Sequence, residues 1–341
     1  MDNGTGVFTQ QRPRLFGLAY RLLGSASDAE DILQEAFLRW DAADRDAIRE
    51  PAAWLTRAVT NLCLTELTSA RQRRERYTGT WLPEPVLTGA GAVASAGTAP
   101  AVTAADGLGP LETVAQRESV SMALLLLCEQ LTAPERAVFI LHEAFGYRYG
   151  EIADIIGRSE ATCRQLGHRA AARLKAESRS ARFTPRDPAE AARWRQLTGQ
   201  FIAAAAAGDL PGLEHLLADD VVSWSDGGGK VPAGLRPVLG REKVARLYAA
   251  LGPALVPGGE LTPALAHALG DILRGGLEVT EAEVNGSPAI MMWAGGRLFG
   301  VFVPVIEGDK ITALYAIAAP DKLSVAGRQA HVSRNAEPSS Q

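Results

Sequence analysis

The chain has 341 residues, of which 47% are hydrophobic and 22% are charged, and this length predicts two or three domains with real cores. The net charge of −4 excludes a uniformly basic protein, so any contact with nucleic acid must be local. Cys63, Cys128 and Cys163 are odd in number and far apart, which favours apolar packing in a reducing compartment over disulfides or a metal site. Neither a signal peptide nor a membrane-spanning stretch is apparent, so we expect a soluble, cytoplasmic protein.

Three helices are predicted at the start of the chain. Residues 15–23 carry one apolar face that ends at Gly24, and Ser27 is the expected N-cap of the second helix. That helix turns Leu33 and Trp40 inward and leaves a polar, acidic face. The face consists of Asp28, Glu30, Asp31, Gln34 and Glu35. It is either a solvated surface that suits a helix N-terminus or a docking surface for a basic partner.

The third helix starts at Pro51 and runs into a basic segment at residues 71–76. Four arginines against one glutamate leave this segment with a charge of +3, and Tyr77 follows it. Basic side chains beside an aromatic ring suit contact with a nucleic-acid backbone and stacking on a base. A short solvated charge run explains the same residues.

Residues 79–110 are rich in Gly, Ala, Thr and Pro, which predicts a flexible linker. Its start is different, because an aromatic residue, a leucine and two prolines make a stiff, extended peptide suited to binding in a groove. These residues are Trp81, Leu82, Pro83, Glu84 and Pro85. The alternative is a tryptophan that folds back on its own domain.

Residues 149–175 are predicted to form two short helices joined by a tight turn. Gly157 suits the turn, Ser159 is an N-cap candidate, and the second helix should start at about Glu160. The basic residues of this second helix are Arg164, Arg169, Arg173 and Lys175. A cationic helix after a glycine turn suits binding in the major groove of DNA. An ordinary helical hairpin with a solvated basic face is the alternative.

The composition changes from about residue 184 and predicts a separate domain. Helices are expected at 189–207, 210–217 and 241–251, and strands at 221–225, 277–284, 289–293, 297–306 and 310–317. Helices followed by an antiparallel meander favour an α+β cone. The glycine-rich stretch after the first strand is either a ligand- or peptide-binding loop or a plain turn. Residues 324–341 are expected to form a disordered tail.

Three segments, in this order and at this spacing, resemble a bacterial extracytoplasmic-function (ECF) sigma factor over roughly residues 10–178. They are DAEDILQEAFLRW, PAAWLTRAVTNLCLTELTSARQRR and LTAPERAVFILHEAFGYRYGEIADIIGRSEATCRQLGHRAAARL. The resemblance implies sigma region two at residues 1–78 and sigma region four at 111–180, both all-α. Residues 185–323 are similar to the SnoaL-like α+β fold, so the expected fold is multidomain.

In this family the second helix of region two binds the β′ coiled coil of core RNA polymerase, which gives the acidic face a partner, and region four contacts the β flap. The resemblance implies that the promoter's minus-ten element contacts Asn61, Glu66, Arg71, Arg73 and Arg74. It implies that the minus-thirty-five element contacts Ser159, Glu160, Thr162, Arg164, Gln165, His168, Arg169 and Arg173. By geometry, the first turn of the recognition helix should meet bases, while Arg169 and Arg173 meet phosphates. A surface histidine without a DNA contact explains His168 equally well.

Three residues depart from the family pattern. Cys163 stands where Val is usual, and Arg158 stands where an apolar residue usually follows the turn glycine. Gly167 lies in the middle of the recognition helix, where it costs about 1 kcal/mol relative to Ala.

WLPEP at residues 81–85, DGGGK at 226–230 and PDKL at 320–323 resemble motifs of the sigma-factor subgroup with a fused C-terminal SnoaL-like domain. That subgroup lacks a separate anti-sigma factor, and it has Asn where this chain has Ala319. The resemblance implies a regulatory contact in which the C-terminal domain acts in cis. Besides the WLPEP residues, its candidates are Asp226, Gly227, Gly228, Gly229, Lys230, Pro320, Asp321, Lys322 and Leu323.

A SnoaL-type enzyme and a sensor for a small apolar ligand are the alternatives for the C-terminal domain. His215, Asp219, Asp220, Asp226 and Lys230 could supply acid–base chemistry, but they show no distinctive carboxylate–histidine spacing. The sequence therefore predicts a transcription initiation factor with no enzymatic activity, cofactor or metal. Its predicted partners are core RNA polymerase and promoter DNA.

Overall fold

The computed structural model describes residues 3–75, 77–88, 120–177, 184–185, 187–231, 233–255 and 277–336. The chain divides into two compact units. The first comprises Met1–Arg76, Thr88–Ala181 and Gln329–Gln341, and the second comprises Tyr77–Leu87 and Arg182–Arg328.

The described part of the first unit is built from helices. The N-terminal helices α1, α2 and α3 pack on one another around residues such as Leu15, Leu22 and Leu55, which are fully buried. Their bounds are Asn3–Leu23, Ala26–Ala42 and Pro51–Glu75, with a 3₁₀ turn at Arg45–Ala47. Helices α4 to α7 follow at Met122–Cys128, Ala133–Glu143, Tyr149–Ile156 and Glu160–Glu177. The two all-α segments of the expected fold are confirmed.

The start of α2 differs from the prediction. Gly24 ends α1 in a left-handed conformation, with φ 67°, as expected. The N-cap, however, is Ser25, whose Oγ accepts a hydrogen bond from Asp28 N at 3.1 Å. The expectation of a cap at Ser27 was therefore wrong, because the serine directly after the glycine turn already faces the free N–H groups of the first helical turn.

In its described residues, the second unit packs three helices on a six-stranded sheet. The helices are α8 (Pro188–Ala206), α9 (Leu210–Leu216) and α10 (Arg241–Leu251), and 3₁₀ turns lie at Gly252–Leu255 and Pro320–Leu323. The strands are β1 (Leu217–Asp226), β2 (Val238–Leu239), β3 (Leu277–Val284), β4 (Ser287–Ala294), β5 (Arg297–Glu307) and β6 (Lys310–Ile317). Their order in the sheet is β2-β1-β6-β5-β4-β3. The predicted antiparallel meander is β3 to β6, and β1 pairs parallel with β6, so the α+β class is confirmed.

The residues after Leu323 were expected to be disordered, and this was wrong for most of them. Helix α11 spans Ser324–Ala336. Val325, Ala326 and Ala330 lie at helical spacing and are 0%, 0% and 5% exposed. Burial of this narrow apolar stripe explains how so polar a segment is ordered as a helix.

Candidate functional site

Helix α7 separates a buried face from an exposed one. The buried side chains are Cys163, Leu166, Ala170 and Leu174, which recur at helical spacing. Of the predicted DNA-binding residues, the exposed ones are Ser159, Glu160, Arg164, Gln165, His168, Arg169 and Arg173, and Thr162 is half-buried. The helix therefore presents a polar, largely cationic face, as contact with a DNA major groove requires.

The turn before α7 has the predicted construction. Gly157 ends α6 in a left-handed conformation, with φ 67°. Ser159 Oγ accepts a hydrogen bond from Thr162 N at 3.2 Å and lies 2.8 Å from Thr162 Oγ1. Ser159 is thus the N-cap of a helix that begins at Glu160, and the cap occupies the hydroxyls of both residues.

Gly167 is explained by a close approach of Tyr149 to α7. A Cβ at residue 167 would lie 2.8 Å from Tyr149 Oη and 3.0 Å from its Cε1. The Tyr149 ring also stacks on His142, at 4.4 Å between centroids. Glycine in mid-helix therefore allows α6 to pack tightly on the recognition helix.

Arg169 and Arg173, the expected phosphate-binding residues, already have an acidic neighbour. Arg173 Nη1 lies 3.1 Å from Glu135 Oε2, and Arg169 Nε lies 3.4 Å from Oε1. Burial raises the pKa of Glu135, but hydrogen bonds from Thr132 and the two arginine charges outweigh it and leave the pKa below its ordinary value. Both arginine side chains stay more than half exposed, so this pairing orients them without covering them.

The acidic face of α2 adjoins an apolar groove. Glu30 forms an ion pair with Arg12, and Glu35 pairs with Arg39 at 2.8 Å, whereas Asp31 and Gln34 are exposed. The groove has a volume of about 350 Å³ and is lined by Phe8, Arg12, Leu33, Gln34, Phe37 and Leu38. Leu38 is 61% exposed. Polar groups beside an exposed leucine are the composition of a protein-docking surface.

The predicted minus-ten residues lie along α3. Glu66 is half-buried, and the exposed Asn61 donates a long hydrogen bond of 3.5 Å from Nδ2 to the carbonyl oxygen of Ile155 in α6. Arg71, Arg73 and Arg74 belong to the last turns of α3, but their side chains lie outside the described residues.

The N-terminal helices pack directly on the helix-turn-helix segment. Arg14 Nη2 donates to Tyr147 Oη at 2.6 Å, and Arg14 Nη1 donates to Thr56 Oγ1 at 3.1 Å. The guanidinium groups of Arg14 and Arg21 lie 5.5 and 5.4 Å from the centroid of the Phe145 ring. Burial lowers the pKa of Arg21 to about 10.

Arg136 completes this contact from the side of α5. Its side chain is 2% exposed, forms an ion pair with Glu129, and donates from Nη2 to Arg21 O at 3.3 Å. Buried arginines are costly unless they are paired, so this interface has a specific arrangement.

A buried carboxylate organises the linker-binding site in the second unit. Asp226 is 1% exposed, and its Oδ2 accepts hydrogen bonds from Leu82 N at 2.8 Å and Lys322 Nζ at 2.6 Å. Its Oδ1 accepts from Tyr77 Oη at 2.6 Å and Gly228 N at 3.0 Å. One side chain thus joins residues of the WLPEP, DGGGK and PDKL motifs.

Lys322 is enclosed by the linker as well as by Asp226. Its Nζ also donates to Leu82 O at 2.5 Å and lies 4.3 and 4.7 Å from the ring centroids of Trp81 and Tyr77. Two aromatic faces and a carboxylate stabilise a buried ammonium group. Burial and the hydrogen bond to Asp226 raise the pKa of the Tyr77 phenol, so Tyr77 donates its proton to Asp226 as a neutral phenol.

The glycines of DGGGK are required by close packing and by backbone conformation. A Cβ at Gly227 would lie 2.0 Å from Val231 O, and Gly228 and Gly229 have φ values of 63° and 69°. Lys230 lies outside the buried cluster, since its exposed side chain pairs at 2.5 Å with Asp321, which is also exposed. Gly227 to Gly229 therefore shape the loop.

The remaining motif residues differ in exposure. Pro83, Glu84, Pro85 and Leu323 are buried, and Trp81 and Pro320 are half-buried. Two further residues belong to this site. Tyr77 donates a hydrogen bond to Asp226, and Asn285 accepts one from Val86 N. The sequence indicated Tyr77 only as an aromatic neighbour of the basic segment, and it did not single out Asn285.

Comparisons with known proteins place this architecture in a class. Residues 7–74 match the family Sigma-70 region 2, and residues 121–174 match Sigma-70, region 4. The N-terminal helices and the helix-turn-helix segment are therefore those of a sigma-70-type sigma factor, which binds RNA polymerase and promoter DNA.

Full-length relatives narrow the class. The ECF RNA polymerase sigma factor SigJ of Mycobacterium tuberculosis strain H37Rv is 37% identical over 321 residues, which cover 93% of this chain and 92% of that protein. The probable ECF RNA polymerase sigma factor SigI of strain CDC 1551 is 32% identical over 322 residues, covering 94% and 95%. The crystal structure of M. tuberculosis SigJ superposes with a TM-score of 0.64 at 33% identity, covering 94% of this chain and 99% of that one. The chain belongs to the ECF RNA polymerase sigma factors.

Two further properties concern the described ranges. No helix within them is both long and apolar enough to cross a membrane, and no group of His, Cys, Asp and Glu there is placed to hold a metal ion. Cys63, Cys128 and Cys163 are free and buried, and burial raises the pKa of Cys128 to about 11. These buried thiols are consistent with the predicted packing role.

Proposed function

We propose that this sigma factor binds the minus-ten element through α3 and its basic end and the minus-thirty-five element through α7, and that its C-terminal α+β domain regulates it in cis by holding the linker. The observation that carries the proposal is the buried Asp226 carboxylate, which bonds Tyr77, Leu82 and Lys322 together. Tyr77 follows the basic segment at residues 71–76 directly, so the linker is held at the end of the segment assigned to the minus-ten element.

The distance between the two promoter elements indicates that the two proposed DNA-binding surfaces move apart on binding. Roughly 25 base pairs separate them, which is about 85 Å of duplex at 3.4 Å per base pair. The Asn61 amide lies 3.5 Å from Ile155 O, and four residues lead from there to Ser159. At no more than about 3.6 Å per residue, the start of α7 is within about 20 Å of Asn61. The two surfaces must therefore separate before both elements can be bound, and the Arg14–Tyr147 and Arg136–Arg21 contacts are those that break.

Individual roles follow from exposure and charge. We assign base-edge contacts to Arg164 and Gln165, which are exposed near the start of α7, and phosphate contacts to Arg169 and Arg173. Two contacts orient the Arg164 side chain. Its Nη2 lies 2.6 Å from Glu160 Oε1, and its guanidinium carbon lies 5.9 Å from the Tyr149 ring centroid. Core polymerase binds the acidic face of α2 and the adjoining groove, where Leu38 is the apolar anchor.

For the C-terminal domain we favour a binding role without catalysis. Phe201, Tyr248 and Phe302 fill the described core between helices and sheet, with ring centroids 5.1 to 5.6 Å apart. Ser223 Oγ lies 3.0 Å from Tyr248 Oη, and burial raises the pKa of that tyrosine to about 12, so neither group is set up as a base at neutral pH. The described cavity between α8 and β3–β4 measures about 230 Å³, which is below the roughly 300 Å³ at which small-molecule pockets begin. A larger depression of about 440 Å³ beside α10 is open and lined mainly by charged residues such as Glu214, Asp219 and Arg241, unlike the mostly apolar lining of a small-molecule site.

Run-off transcription with purified core polymerase tests the cis regulation. Full-length wild type is compared with Asp226→Ala and with Lys230→Met, the second being a matched control in an exposed ion pair of the same domain. We expect Asp226→Ala to change transcript yield at least threefold and Lys230→Met to leave it unchanged. Equal yields from all three folded proteins would refute regulation through the linker.

A further inference from the structure

The linker has a second point of attachment, at the turn between β3 and β4. Asn285 N donates a hydrogen bond to Val86 O at 3.0 Å, and Asn285 Oδ1 accepts one from Val86 N at 3.2 Å. The following linker residue, Leu87, forms an antiparallel bridge with Val284. The Asn285 side chain thus takes the place of a strand carbonyl and extends the ladder onto the linker.

The hairpin turn alone does not account for Asn285. Among the described residues it is the one non-glycine with positive φ, at 53°, followed by Gly286 at 75°. An Asn-Gly pair is ordinary for a two-residue turn. Turn residues normally lie at the surface, however, whereas Asn285 is 0% exposed. Glycine would serve the turn equally well, so the amide has a further purpose, which is to bind the linker.

The two attachment points lie at opposite ends of one buried segment. Leu82 and Val86 are both 0% exposed. Asp226 at the end of β1 binds the backbone of Leu82, and Asn285 after β3 binds the backbone of Val86. In the order β2-β1-β6-β5-β4-β3, β3 is an edge strand, so the linker adds to the sheet at a free edge as peptide ligands do.

We propose that Asn285 is a second anchor of the linker and that residues 82–87 leave the C-terminal domain only when both anchors open. Each anchor keeps the segment close to the other, so a single broken anchor re-forms at a high effective concentration. The regulatory meaning of this two-point attachment rests on the proposed function, but the attachment itself does not.

Amide hydrogen exchange on the full-length protein tests the second anchor. Pro83 and Pro85 have no amide proton, so the signals of Leu82 and Val86 are separable. The variants are Asn285→Gly, which keeps the turn and removes the acceptor, Asp226→Asn, and the two combined. Gly308→Asn is the matched control, since it places the same side chain in the β5–β6 turn, where a Cβ would meet nothing within 4 Å.

In Asn285→Gly we expect exchange at Val86 to rise about 5- to 100-fold, as for a buried N–H that loses its acceptor, and exchange at Leu82 to change less than about threefold. In the combined variant, exchange at both amides should exceed the product of the single effects. Gly308→Asn should change neither.

Three results would overturn the proposal: unchanged exchange at Val86, a parallel loss of protection in β3 and β4, or effects that simply multiply in the combined variant. The second would assign Asn285 to the hairpin. Run-off transcription with the same variants distinguishes the second anchor from cis regulation. Altered exchange with unaltered transcription would refute regulation through the linker but would support the second anchor at Asn285.

Discussion

Replacing Asp226 by Asn should loosen the linker at Leu82, the first of its two anchors on the C-terminal domain. The change keeps the shape of the side chain but removes the charge that faces Lys322, whose side chain is 8% exposed while that of Asp226 is 0% exposed. It also leaves one oxygen where two oxygens accept four hydrogen bonds. Removing one member of a buried ion pair costs about 3–5 kcal/mol.

Local opening of the linker should become easier by the same free energy. At 1.4 kcal/mol per factor of ten, hydrogen exchange at Leu82 should accelerate between about 100- and 4,000-fold. Lys230→Met breaks the Lys230–Asp321 pair, whose side chains are 58% and 74% exposed. An exposed pair of this kind contributes at most about 1 kcal/mol, so exchange in this control should change less than about fivefold.

A second substitution separates lost charge pairing from general damage. Lys322→Met combined with Asp226→Asn removes both charges and should restore part of the protection at Leu82, because no buried ammonium group is left unpaired. Exchange in Asp226→Asn no faster than in Lys230→Met would refute the role of the carboxylate. So would an equal loss of protection in β5 and β6, which would show unfolding of the whole domain.

Three other substitutions, each with a matched control or a pH series, test the helix packing and the proposed DNA- and polymerase-binding surfaces. Gly167→Ala should lower the stability of the first unit by about 1–3 kcal/mol in thermal unfolding, because its Cβ would collide with Tyr149. Gly199→Ala in α8, where a Cβ meets nothing within 4 Å, should instead stabilise by about 0.5–1 kcal/mol; equal effects would refute the packing argument. Glu135→Gln keeps the capping box but loses the pairs with Arg169 and Arg173. The folded-state pKa of Glu135 is lowered, so its contribution exists above the ordinary value of 4.5 and disappears as pH falls through the folded pKa. The difference in melting temperature from wild type should therefore be largest near pH 7 and shrink progressively as pH falls below 4.5, and a constant difference would contradict this. Leu38→Asp should weaken binding to core polymerase about 5- to 30-fold in a titration, since burying the 61% of Leu38 that is exposed contributes about 1–2 kcal/mol. Leu239→Asp, at 59% exposure in the C-terminal domain, should have no effect, and equal loss in both would contradict docking at α2.

Local signals in the sequence predicted most helices and strands. Gly157 and Ser159 define the helix-turn-helix because a left-handed glycine and a capping hydroxyl act on neighbouring residues alone. The strands of the meander were predicted within a few residues because period-two patterns and glycine turns are equally local. Ser25 was missed because two serines competed for one cap.

Local sequence signals could not predict features that depend on contacts between distant parts of the chain. The parallel pairing of β1 with β6 joins strands almost a hundred residues apart, and the Tyr77–Asp226 hydrogen bond spans 149 positions. Only the resemblance of the three motifs suggested that the linker meets the C-terminal domain. Gly167 looked unfavourable in the sequence, since the Tyr149 ring that requires it belongs to the neighbouring helix.

The two proposed DNA-binding surfaces, which pack together in the free chain, should separate to bind one promoter. A distance measurement between spin labels or fluorophores on Thr65 in α3 and Ala161 in α7 tests this separation most directly. Both positions are exposed, whereas all three native cysteines are buried, so cysteines introduced at these two positions can be labelled selectively. We expect a separation below about 30 Å in the free protein and close to 85 Å with core polymerase on a promoter that supports transcription. A short distance retained in the transcribing complex, or a long one already present in the free chain, would contradict the account.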